Sequence, residues 1–358
     1  MRGARRDGRL PGRARQGGLA LLIAIILVAL ATVIAATIAY ENAMTTRRGT
    51  ATYAFDQSVL VAQGAEALAA YGLRQIVQND SKQLYPGQGW DQPLGPLEVV
   101  PGVQLEAWLE DLQGRFNLNN LVQQDGTPDP VMTAAFNQLL AALGLEEKWT
   151  GYIIDWIDMD GTPSTPEGAE DSVYMGQTVP YRTANRYITS TSELLALPGF
   201  GRDRYLKLAP FVSALPWGTK INVCTAHGVV LDAFIGSGHS EYGNEENLAK
   251  NRQEAKGCWP TITDYSKSYD PKVWAGGNPV QKPQQPSPSG GLGQANPQRP
   301  VQPQRPQGAQ SKFGQTSSFF RLTSVVTIGS TEFNLYSLLY QDANVHMVRA
   351  VQRSFTPD

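Results

Sequence analysis

The chain has 358 residues, of which 41% are hydrophobic, and a formal net charge of −2 at pH 7. A chain of this length can bury more than one hydrophobic core. The charge is unevenly divided, because the eighteen N-terminal residues include six arginines and one aspartate, which leaves the rest with a net charge of −7. An acidic body argues against a nucleic-acid partner and is compatible with binding of a hard cation.

An uncharged apolar stretch follows the arginine-rich leader and runs from Leu19 to Tyr40. As a helix it would be about 33 Å long, enough to cross the roughly 30 Å hydrocarbon core of a membrane. The arginines favour retention of the leader in the cytoplasm. The sequence therefore predicts a single transmembrane helix, with the bulk of the chain on the far side of the membrane.

Two interpretations place a processing site differently. A secretory signal peptide has a small-residue cleavage site after its apolar core, which Ala29-Leu30-Ala31 or Ala35-Ala36 would supply. Alternatively, the polar leader and its glycine junction resemble the leader of type IV pilins and type II secretion pseudopilins. This resemblance implies that a prepilin peptidase cuts after Gly18 and leaves Leu19 as the mature N-terminus, with the apolar helix retained.

The helical pattern continues beyond Tyr40 with an amphipathic period and predicts one helix reaching to about Val77, before the breakers Pro86-Gly87. The next pattern, around 99–112, is that of a strand. Apolar and polar residues alternate over 103–110, which predicts a strand covered on one face.

Helical patterns return beyond residue 129 and predict helices at 131–143, 152–157, 192–197 and 204–215. Strand patterns follow at 220–223, 319–328, 331–339 and 345–351. Residues 276–311 consist mainly of Pro, Gln, Gly and Ser, a composition that cannot bury enough apolar surface to form a core. We interpret them as a disordered loop within one sheet, with an interdomain linker as the alternative.

Two further features resemble the GspK family of minor type II secretion pseudopilins. Most pilin-like subunits have a glutamate at the fifth mature position, whereas this chain has Ile23, a departure typical of that family. Phe116-Asn117-Leu118-Asn119 is also characteristic of it. The resemblance implies an α+β, pilin-like fold, in which a long N-terminal transmembrane helix packs on an antiparallel sheet and a large helical (SAM-like) domain is inserted.

The predicted elements and this resemblance together divide the chain into consecutive segments. They are the prepilin leader (1–18), the transmembrane helix (19–40), the helix extension with the first strands (41–116), the inserted helical domain (117–215) and the remainder of the sheet (216–358).

Six acidic residues lie close together in the inserted segment: Asp155, Asp158, Asp160, Glu167, Glu170 and Asp171. So many carboxylates in one loop repel each other unless a cation neutralises them, and calcium takes six to eight oxygen ligands from such loops. An EF-hand alignment fails, because Trp156 would occupy its first ligand position.

GspK relatives carry a similar acidic loop, which begins here with Asp155-Trp156 and ends with Gly168-Ala169-Glu170-Asp171 and Tyr174. The resemblance implies calcium ligation by this loop. The preferred ligands are Asp158, Asp160, Glu170 and Asp171. Asp155 and Glu167 are further candidates, one at the end of a helix and the other between turn residues. A solvated acidic surface and a pair of catalytic carboxylates are the alternatives.

A second motif, Leu195 to Gly201 with Pro198-Gly199-Phe200-Gly201 at its centre, resembles the hairpin of helix-hairpin-helix DNA-binding modules. Such a turn can contact phosphates through its backbone amides, or it can simply join two packed helices. Because the rest of the chain is acidic, we expect no nucleic-acid partner.

The only two cysteines, Cys224 and Cys258, are predicted to form one disulfide beyond the membrane, and two unrelated buried thiols are the alternative. The three histidines lack metal-ligand spacing, and neither a Gly-x-Ser-x-Gly elbow nor a phosphate loop occurs.

The GspK resemblance implies a non-enzymatic minor pseudopilin, anchored in the bacterial inner membrane with its bulk in the periplasm. It implies a tip subunit that initiates or caps the pseudopilus and supports export of folded proteins. Its expected partners are GspI-like and GspJ-like minor pseudopilins, the prepilin peptidase and exported proteins. A DNA-uptake or type IV pilus subunit and a membrane-anchored hydrolase are the alternatives.

Overall fold

A computed structural model describes residues 17–79, 82–164, 166–236, 240–268, 312–342 and 347–357. The predicted loop 276–311 and most of the leader lie outside the described residues. The chain divides into two compact units, of which the first ends at Val59 and the second begins at Leu60.

The N-terminal helix α1 extends from Gly17 to Asn79. Its first half has a mean hydropathy of 3.1 over its most apolar window, and every side chain from 18 to 40 is exposed. Within the described residues, α1 is the one helix that is long and apolar enough to cross a membrane. These properties are compatible with the predicted single-pass anchor.

The part of α1 that belongs to the second unit, from Leu60 onward, packs on a five-stranded antiparallel sheet. The strands follow the spatial order β1-β2-β7-β8-β9 and are β1 (Leu94–Val100), β2 (Val103–Asp111), β7 (Phe319–Ile328), β8 (Thr331–Asp342) and β9 (Met347–Ser354). The alternation predicted over 103–110 is confirmed from Val103 to Ala107, where Val103, Leu105 and Ala107 are buried and the residues between them are exposed. Their buried face shares a core with the small residues Ala62 and Ala65 of α1.

An ion pair between buried Glu66 and the exposed side chain of Arg353 joins the part of α1 after Leu60 to this sheet. The Glu66 carboxylate accepts hydrogen bonds from the Arg353 Nε and Nη2 atoms, both at 2.7 Å, and from the Ser337 hydroxyl at 2.6 Å. Removal of Arg353 would leave the buried Glu66 carboxylate without its charged partner, whereas removal of Glu66 would leave an arginine that already faces solvent. The pair therefore joins the segment of α1 around Glu66 to β8 and β9.

A large insert separates β2 from its sheet neighbour β7 and occupies residues 112–318. Its helices are α2 (Pro130–Ala142), α3 (Lys148–Ile157), α4 (Asp171–Met175), α5 (Gly201–Leu208), α6 (Gly228–Ala233), α7 (Glu245–Ala255) and α8 (Ile262–Tyr265). Two short parallel strand pairs complete it: β3 (Phe116–Asn117) with β4 (Val212–Ser213), and β5 (Ile221–Asn222) with β6 (Phe313–Gly314).

The insert is longer than the predicted segment 117–215. Phe234 stacks on Phe116 with ring centroids 5.9 Å apart and contacts Phe313 at 4.9 Å, so that residues beyond 215 belong to the core of the insert. The predicted strand 220–223 accordingly lies outside the five-stranded sheet. The predicted boundary at residue 215 was wrong because apolar side chains beyond it, such as Phe234, are buried in the core of the insert.

Two other predicted elements also differ, and one strand was not predicted. The helix expected over 204–215 ends at Leu208, because Pro210 cannot continue it, and a 3₁₀ turn, Ala209–Phe211, follows. The segment predicted as a helix at 192–197 is a 3₁₀ helix, Thr191–Ala196. Strand β1 was not predicted separately, because all seven of its residues are exposed and show no alternation.

The insert is tied to the sheet at Asp111, the last residue of β2. Its buried carboxylate accepts hydrogen bonds from the hydroxyls of Ser317 at 2.6 Å and Thr225 at 2.5 Å, and from the Asn222 amide at 3.2 Å. Burial raises the pKa of Asp111. Since Ser317 stands just before β7, this carboxylate joins the two points at which the chain leaves and re-enters the sheet.

The asparagines of the Phe-Asn-Leu-Asn motif clamp distant backbone segments. Asn119 donates to the carbonyls of Ile188 and Leu215, both at 2.8 Å, and accepts from the Ile188 N–H at 2.7 Å. Asn117 accepts from the Leu215 N–H at 3.0 Å and donates to the Pro216 carbonyl at 3.1 Å. These amides satisfy buried backbone groups that regular secondary structure leaves unpaired.

The structure joins Cys224 and Cys258 in a disulfide, with their Cα atoms 4.8 Å apart. Arg252 links the same two segments, because its guanidinium donates to the carbonyls of Val223 at 3.1 Å, Ala226 at 2.8 Å and Trp259 at 3.0 Å. The disulfide and the arginine therefore hold the segment around Cys224 against the segment around Cys258.

We predict that both cysteines resist alkylation in denaturant without reductant and that both are labelled after reduction, as measured by mass spectrometry. Reduction should lower the free energy of unfolding by about 4 kcal/mol, the amount that the chain-entropy model gives for a loop closed over 34 residues. Labelling of either cysteine without reductant would show that the disulfide is absent.

Candidate functional site

The acidic loop extends from the end of α3 at Ile157 to the start of α4 at Asp171. Helix α3 is held by its buried residues, among them Trp149 and Ile153, which pack into the core of the insert. Trp156 and Tyr174 lie on either side of the loop and touch each other, with ring centroids 5.3 Å apart. This contact brings the two ends of the loop together.

Three carboxylates meet within the loop. One oxygen from each of Asp158, Asp160 and Glu170 lies within 4.8 Å of the others. Asp158 and Glu170 are only 5% and 4% exposed, whereas Asp160 faces solvent. Asp158 Oδ1 and Glu170 Oε1 are buried and have no hydrogen-bond partner among the described residues. Buried carboxylate oxygens without partners are unfavourable, so these two atoms mark a place for a proton or a cation.

Burial and mutual repulsion make both buried carboxyls weak acids. Burial raises the pKa of Asp158 to about 7, and the neighbouring Asp160 and Asp155 add to the effect. Burial also raises the pKa of Glu170 to about 7, with further repulsion from Asp155 and Asp160. At neutral pH these two carboxyls are therefore partly protonated, and a cation would compete with protons for their oxygens.

The other three predicted ligands lie outside this group. Asp155 is fully buried and accepts hydrogen bonds from backbone N–H groups of the loop. Asp171 accepts from the Thr183 N–H at 3.1 Å and from its hydroxyl at 2.9 Å. Glu167 is exposed. The structure thus brings three of the six predicted ligands together, and the complete ligand set stays a prediction.

Gly168 of the loop motif and Gly151, which the sequence analysis did not single out, allow the loop to fold back on α3. A Cβ atom added to Gly151 would lie 1.9 Å from the Glu167 carbonyl oxygen. A Cβ atom on Gly168 would lie 2.2 Å from Asp155 Oδ2. A glycine in the middle of an amphipathic helix, as at Gly151, was the signal in the sequence that could have indicated this close approach.

The turn at Pro198-Gly199-Phe200-Gly201 is a packed joint between helical segments. Gly199 and Gly201 have φ angles of 78° and 75°, which glycine adopts without strain. The buried Phe200 ring contacts Trp149 edge-on, with centroids 5.1 Å apart. Arg204 pairs with Glu146 at 3.0 Å. The aromatic ring and the arginine are therefore engaged within the insert, as the helix-joining alternative expects.

The predicted cleavage residues Gly18 and Leu19 lie in the first turn of α1. Residues 1–16 of the leader lie outside the described residues. The structure therefore describes the predicted cleavage site only from Gly17 onward, where α1 begins.

Comparison with known proteins identifies the family. A family model described as type II secretion system protein K matches residues 114–217. The type II secretion system protein K of Pseudomonas aeruginosa is 34% identical over 250 residues, which cover 67% of this chain and 73% of that protein. This chain belongs to the type II secretion system protein K family. The Pectobacterium carotovorum member is 37% identical over 213 residues, covering 57% of this chain and 64% of that protein.

A solved structure supports the fold. The GspK-GspI-GspJ complex from the type 2 secretion system of enterotoxigenic Escherichia coli contains a similar chain, with a TM-score of 0.63 and 21% identity over 87% of this chain and 100% of that one. The predicted family and the predicted α+β, pilin-like fold class are confirmed. The chain is a minor pseudopilin of the type II secretion system, as its GspK-like sequence features indicated.

The raised pKa values of the acidic loop predict how calcium-free stability depends on pH. The folded state binds more protons than the unfolded state between the ordinary carboxyl pKa, about 4, and about 7. The contribution of Asp158 and Glu170 to the unfolding free energy should therefore fall as pH rises through this window.

Urea denaturation of calcium-free protein at pH 5.5 and pH 8 measures this effect, with an Asp158→Asn, Glu170→Gln double variant as the control. The double variant should lose less stability than wild type between the two pH values. Equal losses would show that the two carboxyls have ordinary pKa values in the folded state.

Proposed function

We propose that this chain is a tip subunit of the periplasmic pseudopilus and assembles with GspI-like and GspJ-like minor pseudopilins. The observation that carries the proposal is the fold likeness to the GspK chain of a GspK-GspI-GspJ complex, which covers the whole of that chain. Family membership and Ile23 at the fifth position after Gly18 support it. In this role the protein starts or caps the filament that moves folded proteins outward.

Co-purification tests this assignment. The tagged full-length chain, extracted in detergent, should retain the GspI-like and GspJ-like subunits of its own bacterium, and a tagged major pseudopilin serves as the control for non-specific capture. Deletion of the gene should also block export of type II substrates. Failure to retain either subunit, together with normal export in the deletion strain, would contradict the proposed role.

The leader and α1 form the second part of the proposal. Prepilin peptidase cuts between Gly18 and Leu19, and the apolar helix remains as the inner-membrane anchor, with the second unit in the periplasm. The charge-free helix from Leu19 to Tyr40 and the arginines before it support this topology.

We predict that Gly18→Val blocks processing and leaves a precursor in the membrane, whereas Gly17→Val, one residue earlier, is processed. N-terminal sequencing of the mature wild-type chain should give Leu19 as the first residue. A mature chain that begins after Ala31 or Ala36 would instead identify an ordinary signal peptide.

The third part of the proposal is a calcium ion held by Asp158, Asp160 and Glu170. These residues fit a hard cation, because they offer only oxygen atoms and because two of those atoms are buried without partners. When bound, calcium supplies positive charge that offsets the repulsion among the three carboxylates. The loop is then held between the end of α3 and the start of α4.

We propose that this group of carboxylates has a non-catalytic role. A carboxyl with a pKa near 7 is also suited to general acid or base catalysis. The alternative function, a membrane-anchored hydrolase, would require substrate turnover by this chain that Glu170→Gln abolishes. A cation site accounts for both buried oxygens and for the exposed Asp160. Membership of the type II secretion system protein K family supports a role in secretion over one in hydrolysis.

Calcium should stabilise the protein, by about 2.7 kcal/mol at a hundredfold excess over Kd. Magnesium should substitute poorly, because it requires a tight octahedron and retains its waters. Thermal melting in calcium, magnesium and chelator measures both effects. An Asp160→Ala, Glu170→Ala variant should lose the calcium response, and Glu167→Ala, an exposed acid outside the group, should keep it. Identical melting of wild type in calcium and chelator would exclude a calcium-stabilised loop.

A further inference from the structure

Asp155 occupies the last turn of α3 and is fully buried. Its carboxylate accepts hydrogen bonds from two backbone N–H groups of the acidic loop. The Ser164 nitrogen lies 3.0 Å from Oδ1 and 3.1 Å from Oδ2, and the Ala169 nitrogen lies 2.7 Å from Oδ2. The carboxylate therefore closes the loop onto the helix from which the loop starts.

These hydrogen bonds connect the two buried members of the carboxylate group. Asp155 precedes Asp158 by three residues, and Ala169, which donates to Asp155, is adjacent to Glu170. One buried side chain thus holds the backbone next to Glu170 against the helix end that carries Asp158. The separation between Asp158 and Glu170 depends on this connection.

The Asp155 carboxylate is closely packed against the backbone of the loop. A Cβ atom on Gly168 would lie 2.2 Å from Asp155 Oδ2 and 2.4 Å from the Ser164 nitrogen, so only glycine fits beside the carboxylate. Asp155 does not belong to the group of oxygens that meet within 4.8 Å. Its two oxygens are already engaged by the loop amides.

We infer that Asp155 is a positioning residue, which sets the spacing of the calcium ligands without contacting the ion. The inference rests on the calcium role proposed above. It differs from the expectation that Asp155 is itself a ligand, and the two assignments predict different effects of its removal. A ligand's loss admits water to the ion, whereas loss of a positioning residue lowers affinity and leaves the number of bound waters unchanged.

Europium(III), which replaces calcium in oxygen sites, distinguishes these effects in the full-length chain in detergent. Its luminescence lifetimes in water and in deuterated water give the number of waters on the bound ion. Asp158→Ala should add water to the ion. Asp155→Asn should lower europium and calcium affinity by about 10–100-fold, the usual effect of changing a residue that orients a ligand, with the wild-type number of waters.

Gly168→Ala tests the same hydrogen bonds with every carboxylate intact and remains informative if Asp155→Asn fails to fold. It should reproduce the loss of affinity, again with no additional water. Glu167→Ala, at an exposed site beside the loop, should match wild type in both measurements.

An increase in bound water with Asp155→Asn, equal to that of Asp158→Ala, would overturn the inference and make Asp155 a ligand. Wild-type affinity in both Asp155→Asn and Gly168→Ala would overturn it by removing the positioning role. Absence of europium and calcium binding by the wild-type chain would contradict the calcium proposal itself, an outcome recognisable because Glu167→Ala would also fail to bind.

Discussion

Two buried carboxyl oxygens without hydrogen-bond partners, Asp158 Oδ1 and Glu170 Oε1, impose the constraint on which the acidic loop depends. A buried carboxylate is stable only when it is paired, protonated or bound to a cation. Asp160 lies within 4.8 Å of both side chains and adds a third negative charge when all three are ionised. The loop can therefore exist in a protonated form or in a cation-bound form. An ionised form without a cation carries the full repulsion.

The insert, rather than the pilin-like sheet, holds the loop in this arrangement. The loop lies between α3 and α4, and the contact between Trp156 and Tyr174 joins its two ends. The insert in turn is attached where Asp111 links the end of β2 to Ser317. Helix α1 and the sheet have a separate core and their own ion pair, Glu66 with Arg353. The proposed membrane anchor and the proposed cation site thus lie in different parts of the sequence.

Local sequence patterns predicted the elements whose environment changes regularly along the chain. The charge-free stretch after Gly18 predicted the apolar helix, because its residues are apolar all round. Alternation predicted β2, because one face of this strand is buried and the other is exposed. Strand β1 has no buried face and gave no such signal. The density of acids between 155 and 171 predicts a cation site, and three of those carboxylates lie together in the structure.

The extent of the insert and the roles of the individual acids could not be predicted from local patterns. Whether residues after 215 join the sheet or the insert depends on contacts such as Phe116 with Phe234, which are distant in sequence. The sequence also does not say whether an acid at a helix end, such as Asp155, faces a cation or backbone amides. That distinction arises from the return of the loop at Ser164 and Ala169, which the small size of Gly168 permits.

Calorimetric titration of calcium into calcium-free protein at pH 7, in buffers with different ionisation enthalpies, tests the central claim most directly. Since Asp158 and Glu170 each have a pKa of about 7, binding should release about one proton per calcium ion from the two carboxyls together. The observed heat should then vary with the ionisation enthalpy of the buffer. Absence of binding would contradict a calcium site built on these two buried carboxylates, and heat that is identical in all buffers would contradict their raised pKa values.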